Sequence, residues 1–250
     1  MLASQDSYSY INAMSNILVI IPTYNESDNV RGIAKAVFQY VPDAHVLFVD
    51  DNSPDGTGQI ADAMSADDKR VQVLHRPGKA GLGRAYVAGF QWALERDYQY
   101  IMEMDADFSH NPADIPRFIA AIQQSDLVLG SRYVNGIRIV NWPLRRLILS
   151  KAASMYVRAL TRMPFTDPTG GYKCFRRSVL ESIDLQTVTS NGYSFQIEMT
   201  HITWRKGFRV TEIPIIFEDR HSGCSKMHSA IVREALWIVP KLALQRATQI

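Results

Sequence analysis

Five short apolar runs, Ile17–Ile21, His45–Val49, Val71–His75, Tyr100–Met104 and Leu127–Leu129, are separated by stretches whose apolar residues recur at three-and-four spacing. Those stretches are Gly32–Tyr40, Gly58–Ser65, Ala80–Arg96 and Asp114–Gln124. Runs this short and uniformly apolar read as strands buried on both faces, and the intervening periodicity reads as helix. The order βαβαβαβαβ predicts an α/β fold, a Rossmann-like, mostly parallel sheet flanked by helices. In such sheets the ligand site lies beyond the carboxyl ends of the strands. Polar residues collect there: Pro22-Thr23-Tyr24-Asn25-Glu26, then Asp50-Asp51-Asn52-Ser53-Pro54-Asp55-Gly56, then Asp105-Ala106-Asp107.

Asp105 and Asp107 close the fourth run and place two carboxylates in one loop mouth. Hard oxygen ligands of this kind suit Mg²⁺ or Mn²⁺, which takes one or two protein carboxylates and completes its shell with phosphate oxygens. Asp50 and Asp51 are adjacent charges at a strand end and are costly to desolvate without donors, so a nucleobase or ribose is expected to face them. Ser53-Pro54 also reads as an N-cap and first-turn pair for the next helix. Glycines 78, 81 and 83 fit neither dinucleotide nor P-loop spacing and are expected to form a turn into a helix, from which Lys79 reaches towards a phosphate.

Net charge is only +2, which argues against a general nucleic-acid binder. Cys174 and Cys224 are too few and too distant in sequence for a disulfide framework or zinc knuckle. Ile17–Pro22 is too short for a signal peptide, and no segment offers the roughly 20 uncharged apolar residues of a spanning helix. A cytoplasmic protein is expected. Residues 1–15 read as a polar, flexible leader and 16–250 as a single domain, with a nucleotide-binding half (16–131) and an acceptor or membrane-facing half (132–250).

That second half is unusual in charge. Between Arg132 and Arg162 there are seven basic residues, including Arg145, Arg146 and Lys151, and no acidic one. As a helix from about Leu144, residues Ile148, Leu149, Ala152, Met155, Tyr156, Ala159 and Leu160 share one broad face with basic residues along its borders. This pattern fits an amphipathic interfacial helix on a membrane, or a core-facing helix with solvated arginines. The C-terminal stretch Ile231–Leu244 admits the same two readings.

The motifs Ile-Pro-Thr-Tyr-Asn-Glu (21–26), Val-Asp-Asp-Asn-Ser-Pro-Asp-Gly-Thr (49–57), Gly-Leu-Gly-Arg-Ala-Tyr (81–86), Asp-Ala-Asp-Phe-Ser-His (105–110) and Gly-Ser-Arg-Tyr (130–133) occur in order. Asp-Pro-Thr-Gly-Gly-Tyr (167–172), Gly-Tyr-Ser-Phe-Gln-Ile-Glu-Met (192–199) and Glu-Asp-Arg-His-Ser-Gly-Cys-Ser-Lys-Met (218–227) follow them. Together they resemble the polyprenyl-phosphate (dolichol-phosphate) mannosyltransferases, inverting family 2 glycosyltransferases of the GT-A fold. The resemblance implies transfer of mannose from GDP-mannose to a polyprenyl monophosphate at the cytoplasmic face of a membrane, by a peripheral enzyme with room for a membrane-anchored partner protein. It implies that Pro22, Tyr24, Glu26, Val49, Asp50, Asp51 and Lys79 contact the nucleotide. Asp105, Ala106 and Asp107 would hold the diphosphate through Mg²⁺ or Mn²⁺, and Arg132, Arg220 and Lys226 would form a cationic clamp. Asp107, Arg220 and Lys226 would serve catalysis, with Arg220 and Lys226 on a closing lid or in a solvated loop.

The lipid phosphate is expected at Arg132, Arg145, Arg146 and Lys151. A phosphate nucleophile is already anionic and needs no base. Asp167 is the candidate if one is used, or else a turn or helix cap. Ser109 stands where some relatives carry a longer amide ligand, and their C-terminal membrane helices are absent from this sequence. The alternatives are transfer of glucose from UDP-glucose, transfer to a soluble sugar, and a non-catalytic sugar-nucleotide-binding subunit.

Overall fold

The computed structural model describes residues 16–188, 190–218 and 229–244, the last stretch with side chains from 237 onwards. Strands β1 (Ile17–Thr23), β2 (His45–Asp50), β3 (Val71–His75), β4 (Tyr100–Glu103), β5 (Leu127–Ser131), β7 (Lys173–Arg176) and β8 (Val210–Pro214) form one sheet in the order β3-β2-β1-β4-β7-β5-β8. All neighbours are parallel except β7, which runs antiparallel to both β4 and β5. A separate pair joins β6 (Ile139–Val140) to β9 (Phe217–Glu218).

Strands β1, β2, β4 and β5 are largely apolar because both faces are covered. On β1, Ile17, Val19 and Ile21 enter one core, whereas Leu18 and Ile20 enter the other. Helices α1 (Val30–Tyr40), α2 (Thr57–Asp67) and α4 (Ile115–Ile122) bury their apolar stripes in the first core. Helices α3 (Leu82–Leu94), α6 (Arg177–Glu181), α7 (Gly192–Arg205) and α8 (Ser229–Leu244) contribute to the second. Helix α5 (Leu144–Thr161) touches that second core mainly through Val157.

Several sequence expectations are corrected. Ser53 does not cap α2: its N–H and hydroxyl both donate to Asp50, and the helix begins four residues later, after Gly56 in the left-handed region. Strand β8 ends at Pro214, which has no N–H with which to continue a ladder, and the chain pairs again only at β9. Strand β7 and the β6–β9 pair were not anticipated at all.

The glycine turn does lead into a helix. Gly81 precedes α3 at φ +100°, and a Cβ on Gly83 would lie 2.4 Å from the Ser190 carbonyl oxygen. Gly83→Ala must therefore move backbone, and urea titration should show a loss of about 1–3 kcal/mol.

Candidate active site

The carboxyl ends of β1 to β4 open into a cavity of about 460 Å³. Its walls follow the sheet order. Tyr24, Asp51 and Lys79 come from the ends of β1, β2 and β3, Asp105 and Asp107 follow β4 at the centre, and Gly171 and Arg132 lie over β7 and β5. Each of the first, second and fourth loops carries a non-glycine residue at positive φ: Asn25 at 58°, Asn52 at 58° and Phe108 at 61°. Asparagine tolerates this conformation, but phenylalanine stores about 1–3 kcal/mol of strain in it.

At the β3-β2-β1 end, Lys79 Nζ lies 4.1 Å from the Tyr24 ring centroid. Asp51 is ion-paired with Arg76. Burial pushes the Asp51 carboxyl up and the Arg76 guanidinium pulls it back. Pro22 and Glu26 also line this end. Two of the expected nucleotide contacts do not. Val49 is buried in the core beneath α3. Asp50 receives hydrogen bonds from the Thr23 hydroxyl (3.1 Å), Ser53 N–H (3.0 Å) and Ser53 hydroxyl (2.6 Å). The protein thus supplies the donors that this carboxylate was expected to take from a nucleotide, and Asp50 braces the loop.

At the centre, Asp107 Oδ1 accepts from Ser109 N–H (3.1 Å), while Asp105 N–H donates to His110 Nδ1 (3.1 Å). His110 stacks on Tyr172 at 4.6 Å between centroids and is buried, which holds its pKa down and leaves it neutral. Because Nδ1 accepts, its proton is assigned to Nε2. Two carboxylates from one strand-end loop, both on the cavity wall, fit a hard divalent cation that shares its shell with phosphate oxygens. Among the described residues no cluster of three acidic, histidine or cysteine ligands exists that would instead enclose a metal by itself. His110 was overlooked in the sequence, although its position three residues after Asp107 was a readable signal.

At the far end, Arg132 is only 4 % exposed and is met by Asp167 through two side-chain contacts of 2.7 Å each. A third hydrogen bond, 2.8 Å, runs from Arg132 to the Thr169 hydroxyl. Although burial opposes ionisation of both groups, each holds the other charged: the Asp167 carboxyl lies below its ordinary range and the Arg132 guanidinium above. Asp167 is therefore corrected from candidate base to structural counter-ion, and Arg132 reaches the cavity with its charge already balanced. Arg146 also lines the wall, with its guanidinium 3.9 Å from the Trp142 ring centroid. Arg145 is solvent-exposed, Lys151 lies 4.3 Å from the Tyr133 ring, and neither lines the cavity. Arg220 and Lys226 lie outside the described residues.

Residues 18–184 match the model of the glycosyl transferase family 2 domain. The chain belongs to glycosyl transferase family 2. A polyprenol monophosphomannose synthase of Mycolicibacterium smegmatis is 50 % identical over 230 residues, covering 91 % of this chain and 87 % of the relative. An undecaprenyl-phosphate mannosyltransferase of Micrococcus luteus is 48 % identical over 228 residues, covering 91 % and 94 %. Among solved structures, glucosyl-3-phosphoglycerate synthase from Mycobacterium tuberculosis, in complex with Mn²⁺, UDP and phosphoglyceric acid, superposes with a TM-score of 0.71. It covers 94 % of this chain and 81 % of that one at 16 % identity, and so supports the GT-A fold. This family 2 glycosyltransferase is thus an enzyme with mannosyltransferase relatives.

One surface of the glycosyltransferase adjoins the cavity mouth. Helix α5, which carries Arg146, turns Ser154, Val157 and Thr161 inwards and leaves Leu144 (70 % exposed), Ile148 (60 %) and Met155 (59 %) facing out. Its apolar face is on the outside, contrary to a core-facing helix. Ile137, Val140 and Ile216, in or next to the β6–β9 pair, are exposed as well. Helix α8 is different: Val239 and Leu242 are buried in the core, and Trp237 is exposed. Among the described residues no helix is long and apolar enough to cross a membrane.

Proposed function

We propose that this glycosyltransferase moves a mannosyl residue from GDP-mannose to a polyprenyl monophosphate, with inversion, at a membrane surface. The observation that carries the reading is α5: a cavity-lining arginine sits on a helix whose apolar face points outwards, so one element serves both a phosphate and a lipid. The names of the two relatives near 50 % identity support the same acceptor and sugar.

In this reading Tyr24, Asp51 and Lys79 receive the nucleoside, and Asp105 and Asp107 hold Mg²⁺ or Mn²⁺ beside the diphosphate. The ion supplies countercharge for the negative charge that grows on the departing diphosphate. Arg146 orients the acceptor phosphate, whose oxygen bonds to the anomeric carbon as the bond to the diphosphate oxygen breaks. Attack from the face opposite the leaving group inverts an α-donor to a β-linked lipid phosphate sugar. The nucleophile is an anion already, so the burial of Asp167 against Arg132 leaves the chemistry with no missing base.

Parallel assays with GDP-mannose and UDP-glucose, each with a short polyprenyl phosphate, test this by mass-resolved product. Mannosyl lipid phosphate from GDP-mannose is expected. Glucosyl product from UDP-glucose alone would reassign the donor, and no lipid-linked product from either would reject the reading. For the surface, Ile148→Glu combined with Met155→Glu should weaken co-sedimentation with anionic vesicles at least about tenfold, since both side chains would otherwise enter the headgroup boundary. Turnover of a short, water-soluble lipid phosphate should persist. Unchanged vesicle binding would remove α5 from the membrane contact.

A further inference from the structure

The β6–β9 pair is only two residues long on each strand, and it leads directly to Trp142. After Val140 the chain turns at Asn141, which sits at φ +64° and whose Nδ2 donates to Glu218 Oε1 across the pair at 3.4 Å. Trp142 follows, and after Pro143 the helix α5 begins. The Trp142 and Phe217 rings meet edge to face at 76°, with centroids 5.4 Å apart, and Phe217 itself lines the cavity. The short ladder thus fixes an indole beside the site.

Two guanidinium groups stand over this indole. Arg146 Cζ is 3.9 Å from the ring centroid and Arg132 Cζ is 5.8 Å from it, both within the reach of cation–π attraction. Both arginines line the cavity. Arg132 is already fixed by Asp167 and Thr169. Arg146 reaches the wall on a long side chain from the first turn of α5, and the stacked ring disfavours the rotamers that would carry it elsewhere.

The indole N–H is not what holds the ring there. Trp142 Nε1 is buried and makes no hydrogen bond among the described residues. A ring kept for its N–H would have an acceptor, because an unpaired buried donor costs stability. Its worth therefore lies in its face, which tryptophan offers to a cation better than any other side chain.

We propose that Trp142 is a positioning residue for the acceptor phosphate, its ring holding the Arg146 guanidinium in the orientation that meets the phosphate oxygens. This rests on the acceptor reading of Arg146 given above. A planar guanidinium bonds two phosphate oxygens at once only when its plane is correctly turned. One that is aligned beforehand binds without giving up side-chain freedom at that moment.

The test uses the full chain and a short, water-soluble polyprenyl phosphate, so that membrane binding plays no part. Trp142→Leu and Trp142→Gln both remove the ring, Trp142→Phe keeps a smaller one, and Arg146→Ala removes the guanidinium. Either non-aromatic variant should raise KM for the lipid phosphate about tenfold and leave KM for the nucleotide hexose within about twofold. Trp142→Phe should recover most of that loss. In the double variant Trp142→Leu with Arg146→Ala, kcat/KM for the lipid phosphate should equal that of Arg146→Ala alone, because the ring acts only through this arginine. An additive double variant overturns the proposal, and so does a Phe variant no better than Leu. If Arg146→Ala raises the lipid-phosphate KM while Trp142→Leu and Trp142→Gln leave it unchanged, the positioning role falls and the acceptor reading stands. Equal losses for donor and acceptor, or failure of both non-aromatic variants to fold, assign the ring to packing and overturn the proposal as well. An unchanged lipid-phosphate KM in Arg146→Ala, or no turnover of any lipid phosphate by the wild type, refutes the acceptor reading itself, and this inference with it.

Discussion

Asp107→Asn is expected to lower kcat by about 10³-fold, roughly 4 kcal/mol of transition-state stabilisation, while thermal unfolding stays within a few degrees of the wild type. The substitution separates two roles of one side chain. Asp107 Oδ1 accepts the Ser109 N–H at 3.1 Å and so shapes the turn after β4. An asparagine oxygen keeps that bond. What it loses is the negative charge facing the cavity, and with it the affinity for a divalent cation. Titration with Mn²⁺ should accordingly show weaker saturation in the variant, in parallel with the lost turnover. A fully active variant with unaltered metal dependence would remove Asp107 from the site.

The largest stability effect is expected at Asp167→Ala, at about 3–5 kcal/mol, or roughly a 10 °C fall in Tm for a chain of this size. The cause is what the alanine leaves behind. Arg132 is buried among Tyr133, Trp142 and Phe217, and its guanidinium is neutralised chiefly by Asp167. Removing the carboxylate strands a buried cation. Replacing both, as Arg132→Met with Asp167→Leu, should recover most of the loss, because the pair as a whole carries a desolvation cost that two apolar side chains avoid. The pH dependence has a defined sign. The folded-state pKa of Asp167 lies below its ordinary value, so the pair's contribution is fully present above the ordinary carboxylate range and fades as pH falls through the depressed value. A loss under about 1 kcal/mol for Asp167→Ala would contradict this account of the pair.

The parallel core and the loops that meet at its edge were readable in the sequence because both follow local rules. Strands buried on both faces show up as unbroken apolar runs, and a Rossmann-like order then places Tyr24, Asp51 and Asp105 at one edge. Strand β7 obeys no such rule. Lys-Cys-Phe-Arg is four residues long, begins with a charge, and is a strand only because β4 and β5 leave an antiparallel slot between them. Lys173 is tolerable inside the sheet because Gln196, more than twenty residues later, accepts two of its hydrogen bonds.

Asp50 failed for the same reason. Consecutive aspartates look unsatisfied in one dimension, whereas Thr23 and Ser53 satisfy Asp50 once β1 and β2 are side by side. For α5, periodicity defined the apolar face correctly but carried no information about which side the rest of the chain would cover. The fold decides that: Ser154, Val157 and Thr161 are covered, and Leu144, Ile148 and Met155 are left outside.

The central claim is that Asp105 and Asp107 grip a divalent cation beside the donor diphosphate in the cavity above β4. Anomalous scattering from a crystal grown with Mn²⁺ and GDP-mannose addresses it directly. The account predicts one strong manganese peak within coordination distance of both carboxylates and of the diphosphate oxygens, with the nucleoside against Tyr24 and Asp51. A bound nucleotide sugar whose diphosphate lies away from these two aspartates, with no manganese between them, would contradict it.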